Sequence, residues 1–192
     1  MLLVRHNRLL PPFHDYASLT TDMLDRLASG DISPDIAPMP EKIPWDDQAF
    51  QHFREAEFFV CSGSNRTQQT CRALIERYNL EKKMVIDHDL NEIFFVPSRM
   101  MGHPSENPLE AVRKKLYSSL GAGKEGVEPL DTLHKRINSL LEKYESERCI
   151  LFSHGFLIRL VSSYCLKGRD IGKALLDINQ VLPVDYLGHI AV

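Results

Sequence analysis

Glu57-Phe58-Phe59-Val60-Cys61-Ser62-Gly63-Ser64-Asn65-Arg66-Thr67-Gln68-Gln69-Thr70 passes from an apolar, β-prone run through a glycine turn into residues that can start a helix. Two other runs share this form: Leu2-Leu3-Val4-Arg5-His6 at the start of the chain and Cys149-Ile150-Leu151-Phe152-Ser153-His154-Gly155 towards its end. Short continuous apolar runs of this kind read as strands of a parallel sheet buried on both faces. Open α/β sheets place their sites beyond the carboxyl ends of such strands. His6, Arg66 and His154 are therefore expected to converge on one crevice.

With 192 residues and 43% hydrophobic side chains, the chain can bury one core, and a single domain over 1–192 is expected. A formal charge of −3 disfavours nucleic acid as a partner, because binding a polyanion needs many clustered Lys and Arg. Cys61, Cys71, Cys149 and Cys165 have no paired metal spacing, and three of them fall in runs that read as buried. Inert thiols in a reducing cytosol fit that pattern. The chain begins directly in a strand, and no apolar stretch approaches the ~18 residues of a membrane span. Neither export nor a membrane partner is expected, and the localisation is read as cytoplasmic.

Outward from the three runs, Leu19, Met23, Leu24 and Leu27 recur at helical spacing, with Thr20 or Thr21 as cap and Gly30 as stop. Residues 31–44 hold four prolines and read as an extended surface connection, pinned at its far end by Trp45. Asp46 to Ala56 predicts a short helix, Arg66 to Tyr78 a longer one with Ala73, Leu74 and Tyr78 on its inner face, and Met84 to Ile86 another strand. Residues 94–126 read as an insertion rich in Pro, Gly, Ser and charge, with a helix from Pro108 to Leu120 that can cap the crevice. Leu130, Leu133, Ile137, Leu140 and Leu141 mark an amphipathic helix, and a final helix begins near Gly155. The tail from Leu182 has edge-strand composition broken by Pro183. The expected fold is a three-layer α/β/α sandwich around a mostly parallel sheet.

Two imidazoles and two arginines in one crevice point to phosphate chemistry. A transferring phosphoryl group spreads charge over three oxygens, and Arg5, Arg66 and His154 can supply donors to them without a metal or other cofactor. Arginine suits this because its planar fork bonds phosphate bidentately. His6 reads as the nucleophile, attacking through one ring nitrogen while the other donates to a backbone carbonyl. Glu92, after a strand and a turn, reads as the acid that protonates the leaving oxygen. His14 and Ser62 lie near these motifs but read as a turn histidine and a buried strand serine. Arg99, His103, Arg113 and Lys114 read as a solvated basic face.

Val4-Arg5-His6, Ser62 with Arg66-Thr67-Gln68-Gln69-Thr70, Leu90-Asn91-Glu92 and Ser153-His154-Gly155 resemble, in order, the motifs of the histidine phosphatase superfamily, also called phosphoglycerate-mutase-like. The resemblance implies that His6 is phosphorylated, that Arg5, Arg66 and His154 flank it, and that Glu92 is the proton donor. It implies a metal-independent phosphatase acting on a small phosphomonoester or a phosphoprotein. Asn7 stands where the family usually has glycine, which brings a bulkier side chain beside the nucleophile, and Pro12 replaces an asparagine whose contact His14 can supply. Those departures motivate an alternative, a phosphate-binding regulatory module with little turnover. Ile93-Phe94-Phe95-Val96 after the acid departs from the mutase branch and favours phosphatase over phosphotransferase. A Ser-based esterase is rejected, since the chain has no Gly-x-Ser-x-Gly elbow.

Overall fold

The three apolar runs form Leu2–Arg5 (β1), Phe58–Cys61 (β2) and Cys149–Ser153 (β4), joined by Lys83–Ile86 (β3) and His189–Ala191 (β5). The computed structural model describes residues 1–14, 18–100, 107–178, 181 and 184–191. The sheet order is β3-β2-β4-β1-β5. β1 and β2 both lie parallel to β4, with Arg5 opposite Ser153 and Cys61 opposite Phe152, and β3 is parallel to β2. β5 is antiparallel on β1, with Val4 opposite His189. The tail is thus the edge strand its composition suggested, although Pro183 lies outside the described residues.

Alternation along the strands divides the core in two. Leu3, Val60 and Leu151 face a cluster built by helices Pro108–Gly121 (α5), Leu130–Tyr144 (α6) and Gly155–Leu166 (α7). Leu2, Val4, Phe59, Cys61, Ile150 and Phe152 face Asp47–Glu55 (α2) and Asn65–Arg77 (α3). Helices on both faces of a mostly parallel sheet make a three-layer α/β/α sandwich.

The expected helices form close to their expected bounds. Thr20 caps Thr21–Ser29 (α1) by accepting from Met23 N, and Gly30 ends it in the left-handed region at φ 85°. Asp46 caps α2 through Ala49 N. Residues 31–44 run without helix, bridged to Leu9 at Ile36, and the Trp45 indole N–H donates to Leu187 O at 2.6 Å. In α3 Leu74 is buried, with Ala73 and Tyr78 partly so.

Two short helices went unanticipated. Pro97–Met100 (α4) is a single turn, and Ile171–Leu176 (α8) follows α7 with one buried side chain, Ala174, too few apolar positions to show a period. The segment read as an insertion is partly core, because α5 buries Val112, Leu116 and Leu120 completely. His103 lies outside the described residues. All four cysteines are free, with Cys61, Cys71 and Cys149 buried and Cys165 partly exposed. Among the described residues no helix is long and apolar enough to cross a membrane.

Candidate active site

Backbone pairing carries on one residue past the strand ends. His6 N donates to Ser153 O at 3.1 Å and Ser62 N to Phe152 O at 3.1 Å, which places His6, Ser62 and His154 side by side above the sheet. His6 and His154 meet edge to face, ring centroids 5.3 Å apart. Arg5, His6, Arg66, Glu92 and His154 all line one cavity of about 1070 Å³, so the five predicted site residues come together. His14 and Pro12 are exposed and lie outside this lining.

The tautomer of His6 follows from its neighbour. A carbonyl only accepts, so Nδ1 donates to Asn7 O at 2.7 Å and Nε2 carries the lone pair, with no partner among the described residues. Asn7 does not crowd it: its amide nitrogen donates to Ala37 O at 2.9 Å, and its backbone N–H donates to Thr70 Oγ1 at 3.0 Å. The side chain therefore points into the 31–44 connection, and the expected obstruction beside His6 is absent.

His154 sits in a chain of donors. Arg66 Nε donates to its Nδ1 at 3.2 Å, so the ring proton lies on Nε2 and is given to Ser62 Oγ at 2.9 Å. Ser62 in turn lies 2.8 Å from Thr67 Oγ1, which donates to Ser64 O at 2.9 Å. Ser62, read from sequence as an ordinary strand serine, thus orients the second histidine. No single-residue pattern marks such a role, which depends on a partner 92 positions away.

Ser64, the residue before α3, makes no capping hydrogen bond, so the first N–H groups of that helix stay open beside Arg66. Uncapped N–H groups and the helix dipole together favour an anion. The turn is held by Gly63 N donating to Asn91 Oδ1 at 2.8 Å. A Cβ at Gly63 would lie 2.5 Å from Nδ1 of His88, whose exposed ring would have to turn aside. α7 differs: Glu92 Oε1 accepts from Ile93 N and Leu157 N at 3.0 and 2.9 Å, and Oε2 from Phe156 N at 3.2 Å. The predicted acid also caps the helix that follows His154.

Arg5 is held from the chain's far end. Its Nη1 donates to Val184 O at 2.6 Å, its guanidinium lies 4.2 Å from the centre of the Tyr186 ring, and its Nε is buried without an acceptor. Sequence patterns missed this support, as they missed the buried pair of Arg136 and Glu128 at 2.8 Å. Of the other basic residues, Arg99 pairs with Glu125 and Lys114 with Glu110 on the surface, whereas Arg113 lines the cavity. Among the described residues no cluster of three or more His, Cys, Asp or Glu is placed to hold a metal ion.

Burial, reinforced by Arg66 and Arg5, holds the His6 imidazole well below its ordinary pKa, and burial with Arg66, His6 and Arg5 does the same to His154. Burial pushes Glu92 upward, against its three backbone bonds and Arg66. On unfolding, both imidazoles return to an ordinary value of 6.5 and take up protons below it. Their contribution to stability is complete above pH 6.5 and lost as the pH falls towards the depressed folded values. Glu92 has the opposite sign, contributing below its ordinary 4.5 and losing this as pH rises through its raised folded value. Two groups outweigh one, so stability is expected to drop on acidification from about pH 7 to about pH 5, by about 1.4 kcal/mol per pH unit for each net proton. Urea unfolding at the two pH values measures it, and equal stabilities would show that the folded imidazoles take up protons as readily as the unfolded ones.

A buried histidine between two arginines, beside an uncapped helix start, is an arrangement that can receive a phosphoryl group. The family model described as histidine phosphatase superfamily, branch 1, matches residues 47–178. The chain belongs to the histidine phosphatase superfamily. Arg5 and His6 precede the matched segment, and β1 brings them to it. Among solved structures, a mycobacterial glucosyl-3-phosphoglycerate phosphatase is 16% identical with a TM-score of 0.59, covering 98% of this chain and 87% of that one. A phosphoserine phosphatase of Entamoeba histolytica is 16% identical with a TM-score of 0.55, over 98% and 87%. A putative alpha-ribazole-5'-P phosphatase of Escherichia coli K-12 is 18% identical with a TM-score of 0.53, over 96% and 84%. These likenesses are of fold. Among curated proteins, none matches the chain's sequence.

Proposed function

We propose that the chain is a metal-independent phosphomonoesterase working through a phosphohistidine on His6. The observation that carries this is the His6 ring itself: buried and neutral, with Nδ1 committed to Asn7 O and Nε2 bare in the cavity. Nε2 attacks phosphorus, and the bond to the ester oxygen breaks. Glu92 gives that oxygen a proton, from Oε2, which receives a single backbone donor where Oε1 receives two. The ionised Glu92 then takes a proton from water, the resulting hydroxide attacks phosphorus, and the P–N bond breaks to return neutral His6 and protonated Glu92.

Arg66 and Arg5 supply the positive charge the phosphoryl oxygens require; Arg5 Nε still lacks an acceptor. When Arg66 leaves Nδ1 of His154 for a phosphoryl oxygen, Ser62 can reverse its hydrogen bond and donate to Nε2. That frees the ring proton to Nδ1, facing the phosphoryl group. Because Asn7 turns away from His6, the basis for a pocket that only binds is weakened, and turnover is the better reading. Ile93, Phe94 and Phe95 after the acid favour hydrolysis over phosphoglycerate transfer.

A hydrolysis screen over phosphorylated metabolites with and without chelator tests the reading. Activity unchanged by chelator is expected, with acid-labile, alkali-stable phosphate on the protein during turnover. Loss of activity restored by Mg²⁺ or Zn²⁺ would count against it.

A further inference from the structure

The cavity is far larger than a phosphoryl group, at about 1070 Å³, and what lines the rest of it is mostly apolar. α1 contributes Leu24 and Leu27, and α5 contributes Leu109 and Val112. The third side is aromatic. Phe94, Phe95 and Phe156 all line the cavity, and Phe95 packs edge to face on Phe156 at 5.7 Å. Phe94 remains 49% exposed, an apolar ring turned to the cavity without a covering neighbour.

These aromatics flank the acid. Phe94 lies two residues after Glu92, and Phe156 N donates to Glu92 Oε2 at 3.2 Å. The oxygen that receives the proton must lie at Glu92, so the remainder of the alcohol lies against the phenyl rings. The further polar side chains of the lining are mostly cationic: Arg113 is exposed to solvent, and Arg159 Nε donates to Val181 O at 2.8 Å. Glu128 is taken up by Arg136, and Asn91 Oδ1 is taken up by Gly63 N, which leaves Asp185, besides Glu92, as the acidic side chain of the lining without an ion pair among the described residues. Against the phenyl faces themselves an apolar ring gains by leaving water, whereas a polyol gives up hydration to surface that cannot replace it.

Resting on the phosphatase reading above, we infer that the substrate is the phosphomonoester of an apolar, ring-bearing alcohol, selected by Phe94, Phe95, Phe156 and the facing leucines of α1. The comparison that tests it is 3-phenylpropyl phosphate against glucose 6-phosphate, both primary alkyl esters that leave with similar difficulty. kcat/KM is expected to favour the phenylpropyl ester by about tenfold to a hundredfold, the effect of burying one ring. Phe94→Ser, on a half-exposed residue, is expected to bring that ratio towards one; because both substrates are measured on the same protein, partial misfolding does not move it. Equal rates in the parent protein, a preference for the sugar ester, or a ratio untouched by Phe94→Ser would each overturn the assignment. Calorimetric binding of 3-phenylpropylphosphonate and the phosphonate analogue of glucose 6-phosphate repeats the comparison without turnover. A protein that hydrolyses neither ester, nor p-nitrophenyl phosphate, yet binds the apolar phosphonate more tightly would sink the phosphatase reading and leave the pocket assignment standing; equal binding would sink the assignment itself.

Discussion

His6→Ala is expected to lower kcat by about 10⁴-fold or more and to remove all phosphate label from the protein. The size follows from what is lost. Arg5, Arg66 and the open start of α3 stay in place and still bind a phosphoryl group, but no other described side chain offers a bare, buried ring nitrogen in the cavity. His154 cannot substitute, since its Nδ1 accepts from Arg66 and its Nε2 faces Ser62. Quench-flow with labelled substrate measures both effects. Label that persists in the variant, on Ser62 or Ser64, would overturn the mechanism.

Glu92→Gln is expected to slow an alkyl phosphate by roughly 10²- to 10⁴-fold and p-nitrophenyl phosphate far less, because a good leaving group departs without a proton. The same residue caps α7 through Phe156 N and Leu157 N. A glutamine keeps one carbonyl acceptor but turns an amide donor towards one of those N–H groups, so a stability loss of about 1 kcal/mol is also expected. The ratio between the two substrates separates the effects, since lost folded protein slows both equally. Arg66→Ala should damage both esters alike, its contact being with the phosphoryl group they share. If Glu92→Gln slows the two equally, the proton comes from elsewhere. Asp89 is a poor alternative, held by Ser139 and Lys143 at 2.8 and 2.9 Å.

The parts of this molecule that were legible in sequence are those written in consecutive residues. Three apolar runs specify strands buried on both faces, and a histidine or a strand-to-helix turn after each puts the site at one end of the sheet. Helix ends such as the Thr20 cap and the Gly30 stop are local and readable. What could not be read joins residues far apart: Ser62 to His154, and Arg5 to Val184 and Tyr186. Asn7 shows the limit in the other direction. Its size was visible, but its rotation towards Ala37 O depends on where the 31–44 connection runs. Glu92 was read as an acid and not as a helix cap, since the N–H groups it serves lie more than sixty residues on.

The grip of residues 184–191 on β1 has a consequence for the order in which a ribosome can deliver a working site. β4 beside β1 is made about 145 residues after it, and β5 on its other edge is made last of the described strands. Until Val184, Tyr186 and Leu187 emerge, Arg5 lacks the carbonyl and the ring that hold its guanidinium, and Trp45 lacks its acceptor. Closing so long a loop is entropically costly and slow compared with local helix formation. The nascent chain therefore carries His6 on an unpaired strand until β4 emerges, and the Arg5 side of the cavity is unsupported until residues 184–191 have been made.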